Sequence, residues 1–364
     1  NNLKLRVSVG KNGQSGLKPY STLPLMKDLG YTDGSAPLPG YVPNVIGSPN
    51  LGWETMTSYN IGLDFGFLGS RFTGEFNAYR NLNTDLLLKR TISSVHGISQ
   101  VMQNIGKTEN SGLEVALTSN NISAKNFSWQ TGISLAWNKN KIKELYGDGL
   151  SDITNKWFIG HPVRSNFDYK IIGVWQLGEE EEAAKYGAEP GYAKYEDVNK
   201  NNEIDPDDRQ ILGSPEPDFT YSMSNTFKWK NLSLYVLMYG VTGTTKSNPF
   251  KDKSYLIRRN FWTESNPTNE FWSTAKNANK YIANKSISPS SYENADFMRI
   301  KDITLTYTFP KKTIQKFGLN KLAVYFTGKN LVTITDWEGM DPEFDNQRAI
   351  PVCREYSFGI NLAF

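Results

Sequence analysis

Tyr59-Asn60-Ile61-Gly62-Leu63-Asp64-Phe65-Gly66-Phe67 is the stretch that decides the fold. Its apolar residues recur at every second position, so a strand gathers Tyr59, Ile61, Leu63, Phe65 and Phe67 on one face. Asn60, Gly62, Asp64 and Gly66 then share the other. A helix would scatter the same side chains around its axis. After the tight Leu68-Gly69-Ser70 turn the alternation resumes, with Phe72, Phe76 and Ala78 set against Thr73, Glu75 and Asn77, and the spacing predicts a hairpin.

The pattern recurs on both sides. Leu113, Val115 and Leu117 lead through a short Asn/Ser/Lys turn to Trp129, Ile133, Leu135 and Trp137. Phe219, Tyr221, Met223, Phe227 and Trp229 precede a turn at Lys230-Asn231 and a return strand with Leu232, Leu234, Val236 and Met238. Ile303, Leu305, Tyr307 and Phe309, then Leu322, Val324 and Phe326, then Tyr356, Phe358, Ile360, Leu362 and Phe364 continue the series. With Leu3 to Val9 as the first, alternation predicts about ten strands. Between them lie long segments, 12–56, 84–108, 139–217, 243–295 and 334–352, rich in Gly, Pro, Asn and charge. Glu179 to Tyr186, inside 139–217, reads as a short helix.

Two architectures share this alternation: a soluble β-sandwich or lectin-like module, and a membrane barrel. Three features favour an all-β, transmembrane antiparallel β-barrel. Short turns alternate with long connections, which suit extracellular loops and are unusual in a soluble domain. Trp129, Trp137, Tyr221 and Trp229 stand near strand ends, as in a membrane girdle, and the chain closes on an alternating strand ending at Phe364.

Composition narrows the function classes. The 40 basic and 37 acidic residues are scattered without blocks, which excludes the footprint of a nucleic-acid binder. The single Cys353 rules out an internal disulfide and a Cys-rich metal site, and His96 and His161 stand far apart, against zinc chemistry. No stretch reaches the ~18 apolar residues of a membrane helix, so a membrane crossing would use strands. The chain opens on Asn1-Asn2-Leu3 with no initiating Met, charged segment or apolar segment, and reads as a processed or truncated product.

Several phrases carry a resemblance. Ala295-Asp296-Phe297-Met298-Arg299-Ile300-Lys301-Asp302-Ile303-Thr304-Leu305-Thr306-Tyr307, followed by Phe309-Pro310, resembles a late strand of the SusC/RagA-like TonB-dependent transporters of Bacteroidetes-type bacteria. Val324-Tyr325-Phe326-Thr327-Gly328-Lys329-Asn330-Leu331 and then Gly339-Met340-Asp341-Pro342-Glu343 resemble that family's next strand and loop. Upstream, Asn104-Ile105-Gly106-Lys107-Thr108-Glu109-Asn110-Ser111-Gly112-Leu113-Glu114 and Trp262-Thr263-Glu264-Ser265-Asn266-Pro267 are similar to further family phrases. Ser357-Phe358-Gly359-Ile360-Asn361-Leu362-Ala363-Phe364 looks like the terminal strand read by the barrel-assembly machinery.

The resemblance implies an outer-membrane barrel of about 22 strands with a plugged lumen, of which residues 1–364 form the C-terminal part, with the C-terminus at the periplasmic side. It implies a plug, early strands and a TonB-contacting segment on a preceding part of the polypeptide. It also implies a SusD-like surface lipoprotein as lid, with oligosaccharides or oligopeptides as cargo and membrane lipid around the barrel. The alternatives are a self-contained passive porin or adhesin, which would close about 16 to 18 strands on itself, and a soluble glycan-binding β module.

The strongest local chemistry is Asp197-Val198-Asn199-Lys200-Asn201-Asn202-Glu203-Ile204-Asp205-Pro206-Asp207-Asp208, which follows the spacing of an EF-hand-like Ca2+ loop. Asp197, Asn199, Asn201 and Asp208 would supply side-chain oxygens, Glu203 its carbonyl, and Asp205 a water-mediated contact. Position 6 is Asn202 where such loops carry Gly, and position 12 is Asp208 where they carry Glu, one methylene longer. The alternative is an acidic turn held by Asx hydrogen bonds. Among the aromatic pairs Trp157-Phe158, Phe261-Trp262 and Phe271-Trp272, the indoles of Trp157, Trp262 and Trp272 are candidates to stack on sugar rings or hold peptide side chains, or else to pack the loops. No nucleophile elbow, phosphate loop or metalloprotease helix is present, so no catalytic residue is expected and the chain reads as no enzyme.

Overall fold

In the computed structural model the described residues are 2–17, 19–20, 22–32, 34, 36–92, 95, 98, 100–249, 260–274, 291–345 and 350–364. His96 lies outside them. Alternation is realised as ten long strands: β1 (Asn2–Gln14), β2 (Glu54–Phe67), β3 (Phe72–Thr91), β4 (Gln100–Ser123), β5 (Phe127–Glu144), β6 (Phe219–Trp229), β7 (Leu232–Thr242), β8 (Phe297–Thr308), β9 (Lys321–Thr335) and β10 (Glu355–Ala363). Their order in the sheet is their order in the chain.

By internal contacts the chain forms two units, Asn1–Ser119 with Ile133–Val163, and Asn120–Gly132 with Arg164–Phe364; β4 and β5 contribute residues to both. In the first unit β1 and β2 run antiparallel with Leu3 opposite Phe65, Leu5 opposite Leu63 and Val7 opposite Ile61. Those residues make one apolar face, and Leu3, Leu5, Val7 and Val9 are 74, 67, 67 and 68% exposed on it. A water-soluble sheet buries such a row against a second layer, whereas a membrane strand leaves it to lipid. The opposite face is polar: Arg6 Nη2 donates to Asp64 Oδ1 at 2.6 Å and to Asn77 Oδ1 at 3.1 Å.

The second unit repeats the design. Phe227 stands opposite Leu234, Leu234 opposite Leu305, Leu305 opposite Phe326, and Phe326 opposite Phe358, so one apolar row crosses β6 to β10. Trp129 stacks on Phe227 with centroids 5.6 Å apart. A polar cluster interrupts this face. Asn225, buried, accepts from Trp129 Nε1 at 2.9 Å and from Thr131 Oγ1 at 2.7 Å, so its carbonyl oxygen is paired without water.

Three expected loop boundaries shift. Residues 84–108 are largely strand, because β3 runs on to Thr91 and β4 begins at Gln100. The register slips between Asn83 and Leu86 and again between Leu86 and Leu87, and Asp85 has φ +59°, so the period-2 pattern breaks although the pairing continues. The 139–217 loop begins only after β5 ends at Glu144. Within 12–56, β1 reaches Gln14, and Leu25–Thr32 pairs with Pro37–Val45 as a hairpin whose prolines Pro37, Pro39 and Pro43 disguise it as a loop.

The tight turn after β2 holds Leu68, Gly69 and Ser70 all at positive φ. Helix α1 (Glu180–Lys185) forms where the sequence predicts it. Helix α2 (Lys311–Ile314), opened by Pro310, stands between β8 and β9 and was not anticipated. Among the described residues no helix is long and apolar enough to cross a membrane.

Candidate functional site

The segment between β5 and β6 does not trail as open coil. Phe167–Tyr169 pairs with Arg209–Ile211, and Ile171–Val174 pairs with Ala193–Tyr195. From the connection after β7, Thr245–Ser247 pairs with Tyr292–Asn294. The first two ribbons are held by two small cores. Tyr169, Ala193, Tyr195 and Ile204 form one, with Ile171, Tyr186 and Trp272 against it; Trp175, Ala183 and Ala188 form the other. The amphipathic turn of α1 places Ala183, fully buried, into the second.

The ribbons line an open cavity of 730 Å³, within the range of small-ligand sites of about 300 to 1,000 Å³. Its wall includes Tyr169, Lys170, Ile172, Gln210, Trp272 and Glu293. At its edge Glu196 accepts from Gln210 Nε2 at 2.8 Å and pairs with Lys170 Nζ at 3.1 Å. Those two partners, Gln210 first, hold the Glu196 carboxyl below the usual carboxylate range. Such a site offers an aromatic wall, amide groups and charges of both signs, which suits binding.

The three indoles separate. Trp272 lines the cavity. Trp262 is 7% exposed, packs on Gly191 and donates from Nε1 to Gln176 Oε1 at 3.0 Å, so it holds the loops together and has little surface to offer a ligand. Trp157 sits in a turn of the first unit, bridged to Asp152. In that turn Tyr146 donates to Asp152 Oδ2 at 2.6 Å, and burial followed by Asp152 pushes the Tyr146 hydroxyl up to about 12.

In the 197–208 turn the polar side chains face the loop's own backbone. Asp197 accepts from the N–H groups of Lys200, Asn201 and Asn202, at 2.6, 3.3 and 2.9 Å. Asn199 accepts from Asn201 N, and Asn201 from Glu203 N. Asp208, with no exposed surface, accepts from Val198 N at 2.8 Å and Asp205 N at 2.7 Å. Asp205 caps the short 3-10 turn Pro206–Asp208 by accepting from Asp207 N, and its other oxygen takes Asn201 Nδ2. Lys200 and Asn202 stand at φ +60° and +64°, and the Asn at the sixth position thus does what Gly does in such loops. Among the described residues no three His, Cys, Asp or Glu side chains are grouped to hold a metal ion.

One centre was not read from the sequence. Arg299 of β8 is 2% exposed, and its guanidinium donates to Asp341 Oδ1 at 2.8 Å, Glu343 Oε2 at 2.7 Å and Thr333 Oγ1 at 2.9 Å. Tyr239 of β7 donates to the same Glu343 oxygen, and Lys246 Nζ to the carbonyls of Pro342 and Glu343. The Gly339-Met340-Asp341-Pro342-Glu343 loop is thereby fastened to the polar face of β7 to β9. The only signal was that both phrases stand out in the sequence; their contact is long-range.

Comparison with known proteins accords with this architecture. A family described as "TonB dependent receptor-like, beta-barrel" matches residues 1–331. A TonB-dependent receptor of Formosa agariphila is 31% identical over 94% of this chain and 36% of its own length. The TonB-dependent receptor SusC of Bacteroides thetaiotaomicron is 27% identical over 100% of this chain and 37% of its own. A solved structure of the RagAB peptide importer in its open-open state superposes with a TM-score of 0.78 at 23% identity, over 100% of this chain and 40% of that one. The chain thus spans well under half the length of these relatives. The two-faced strands, the short and long connections and the match over residues 1–331 lead to one conclusion: this chain belongs to the TonB-dependent receptor-like β-barrel family.

Proposed function

We propose that the chain is the C-terminal barrel part of a SusC-like active importer of the bacterial outer membrane, driven through TonB and working with a SusD-like lipoprotein lid. The observation that carries this reading is the similarity to SusC over the whole chain, on strands whose apolar face is turned out bare. That face speaks against a soluble glycan-binding module, which would have to bury it. The cargo is an oligosaccharide or an oligopeptide. The aromatic and amide wall of the 730 Å³ cavity suits either, and the fold shared with the RagAB peptide importer keeps peptide beside glycan. Binding and gated release do the work, with no covalent step.

The test is growth of the producing bacterium on oligosaccharides and on oligopeptides as sole nutrient, with the gene intact, deleted, or intact in a strain lacking TonB. Loss of one nutrient class in both altered strains supports the importer. Growth that survives loss of TonB but not of the gene points to a passive porin.

We propose further that the 197–208 turn takes Ca2+ as a structural ion, through Asp197, Asn199, Asn201, the Glu203 carbonyl, Asp205 through water, and Asp208. Support comes from the way Asp197 gathers three successive N–H groups and bends the loop around itself. Chelator should then lower the melting temperature of the protein in detergent and added Ca2+ restore it; identical melting in both would refute the ion.

A further inference from the structure

The apolar face of the first unit does not stay apolar along its length. From the short-turn end it carries Phe76 and Ala78 on β3 with Val115 and Leu113 opposite on β4. One step on, the pairs become Arg80 with Ser111 and then Leu82 with Glu109. On β2 the partner of Arg80 is Tyr59, a girdle-type aromatic 49% exposed. On β5 the apolar run Ile133, Leu135, Trp137 gives way to Lys139, Lys141 and Lys143.

The charges there are unbalanced. Glu109, 7% exposed, is reached by Arg80 Nη2 at 2.6 Å, Lys141 Nζ at 3.2 Å and Lys143 Nζ at 3.7 Å. One carboxylate cannot neutralise three cations, and their side chains remain 60, 39 and 42% exposed, with Lys139 also exposed beside them. Glu109 therefore gathers the cations without consuming them.

The height of the cluster identifies what it meets. Glu109, on which the cations converge, stands opposite Leu82, ten residues beyond Phe72, or about 34 Å along the strand, which a tilt of about 40° reduces to about 26 Å. The apolar band of an outer-membrane barrel is about 25 Å tall, so the cations stand at its far boundary, on the long-loop side. The long-loop end of the apolar face in the second unit, by contrast, carries Val332 and Ile334, both well exposed.

We propose that Arg80, Lys139, Lys141 and Lys143 form a binding site for the phosphate of an anionic glycolipid headgroup in the outer leaflet, with Glu109 as the residue that positions them. The site lies on the lipid side, so the ligand is a membrane component that holds the barrel at its depth and is not cargo. This inference rests on the outer-membrane reading.

Native mass spectrometry tests it on the protein purified from outer membranes, delipidated and titrated with monophosphorylated lipid A, with its phosphate-free counterpart and with inorganic phosphate. Each Lys or Arg near an anionic surface contributes about 1 kcal/mol, or about fivefold. Lys143→Gln should thus weaken lipid A binding about fivefold, and the triple variant Arg80→Gln/Lys141→Gln/Lys143→Gln about a hundredfold. Lys230→Gln, at the short-turn end, should leave it unchanged. The heat-modifiable mobility of each variant confirms that it is folded. Undiminished lipid A binding by the folded triple variant, equal binding of the phosphate-free lipid, or full competition by inorganic phosphate would each overturn the site. The readout is lipid mass, so its failure leaves the TonB-dependent growth result untouched, and failure of the growth test leaves the lipid result standing.

Discussion

Two charged centres on this sheet are built with opposite logic. Around Arg299 a single cation, 2% exposed, is surrounded by two carboxylates, a threonine hydroxyl and a tyrosine that shares one of the carboxylates. Around Glu109 a single carboxylate, nearly covered, meets three cations that remain open to their surroundings. The first lies on the polar face and fastens a loop; the second lies at the end of the apolar face and keeps charge to spare. A buried charge has to be satisfied on every side or it destabilises the fold, and that requirement makes the Arg299 centre closed. Exposed cations are stabilised by their surroundings, so the Glu109 centre can stay incomplete.

The largest effect should come from breaking the closed centre. Arg299→Ala leaves Asp341, itself buried, without its cation and should cost about 3–5 kcal/mol. It reads as a lower urea midpoint for loss of the heat-modifiable band, together with protease cleavage in 336–345; an unchanged midpoint would remove the distinction between the two centres.

A neutral buried group gives the intermediate case. Asn225→Ala leaves the Trp129 indole N–H and the Thr131 hydroxyl without an acceptor, at about 1–3 kcal/mol in the same measurement. A wild-type midpoint there would mean that lipid or water replaces the amide.

Glu109→Gln should shift the midpoint less than Asn225→Ala, because its cations remain open to their surroundings. A loss as large as that of Arg299→Ala would make the two centres equivalent.

The smallest effect is one of pH, in the loops. The backbone N–H of Gln176, and then Lys194, hold the Glu179 carboxyl below its ordinary value. A lowered folded pKa contributes stability that is present above the unfolded value of about 4.3 and disappears as pH falls through the folded one. Acidification below that value should therefore speed hydrogen exchange in 174–191 before it affects the strands, and Glu179→Gln should abolish the difference. Equal pH response in wild type and variant would show that the carboxylate is not linked to the loop.

Legibility followed the range of the interactions. The hairpin of Tyr59–Phe67 and Phe72–Ala78 was readable because period 2 and a short turn are local properties. Residues 84–90 were misread for the same reason, since Leu86, Leu87 and Leu88 lose their phase at register shifts that only the partner strand reveals. Trp262 and Trp272 looked alike in sequence, and only packing separated the indole bonded to Gln176 from the one on the cavity wall. For the 197–208 turn the spacing of Asp197, Asn199 and Asn201 allowed both an ion and Asx hydrogen bonds, and only the structure shows their oxygens accepting from backbone N–H groups.

The sequence by itself determined that this is an antiparallel, two-faced sheet of ten strands with its connections divided into short and long, because alternation forces apolar side chains to one side whatever surrounds them. Only the tertiary structure decided where charge gathers: that Arg299 of β8 closes on Asp341 and Glu343 past the end of β9, and that Arg80, Lys141 and Lys143, from two strands, converge on Glu109 of a third. Strand period is a property of neighbouring residues, whereas charge balance belongs to residues that meet only when the register brings their strands together.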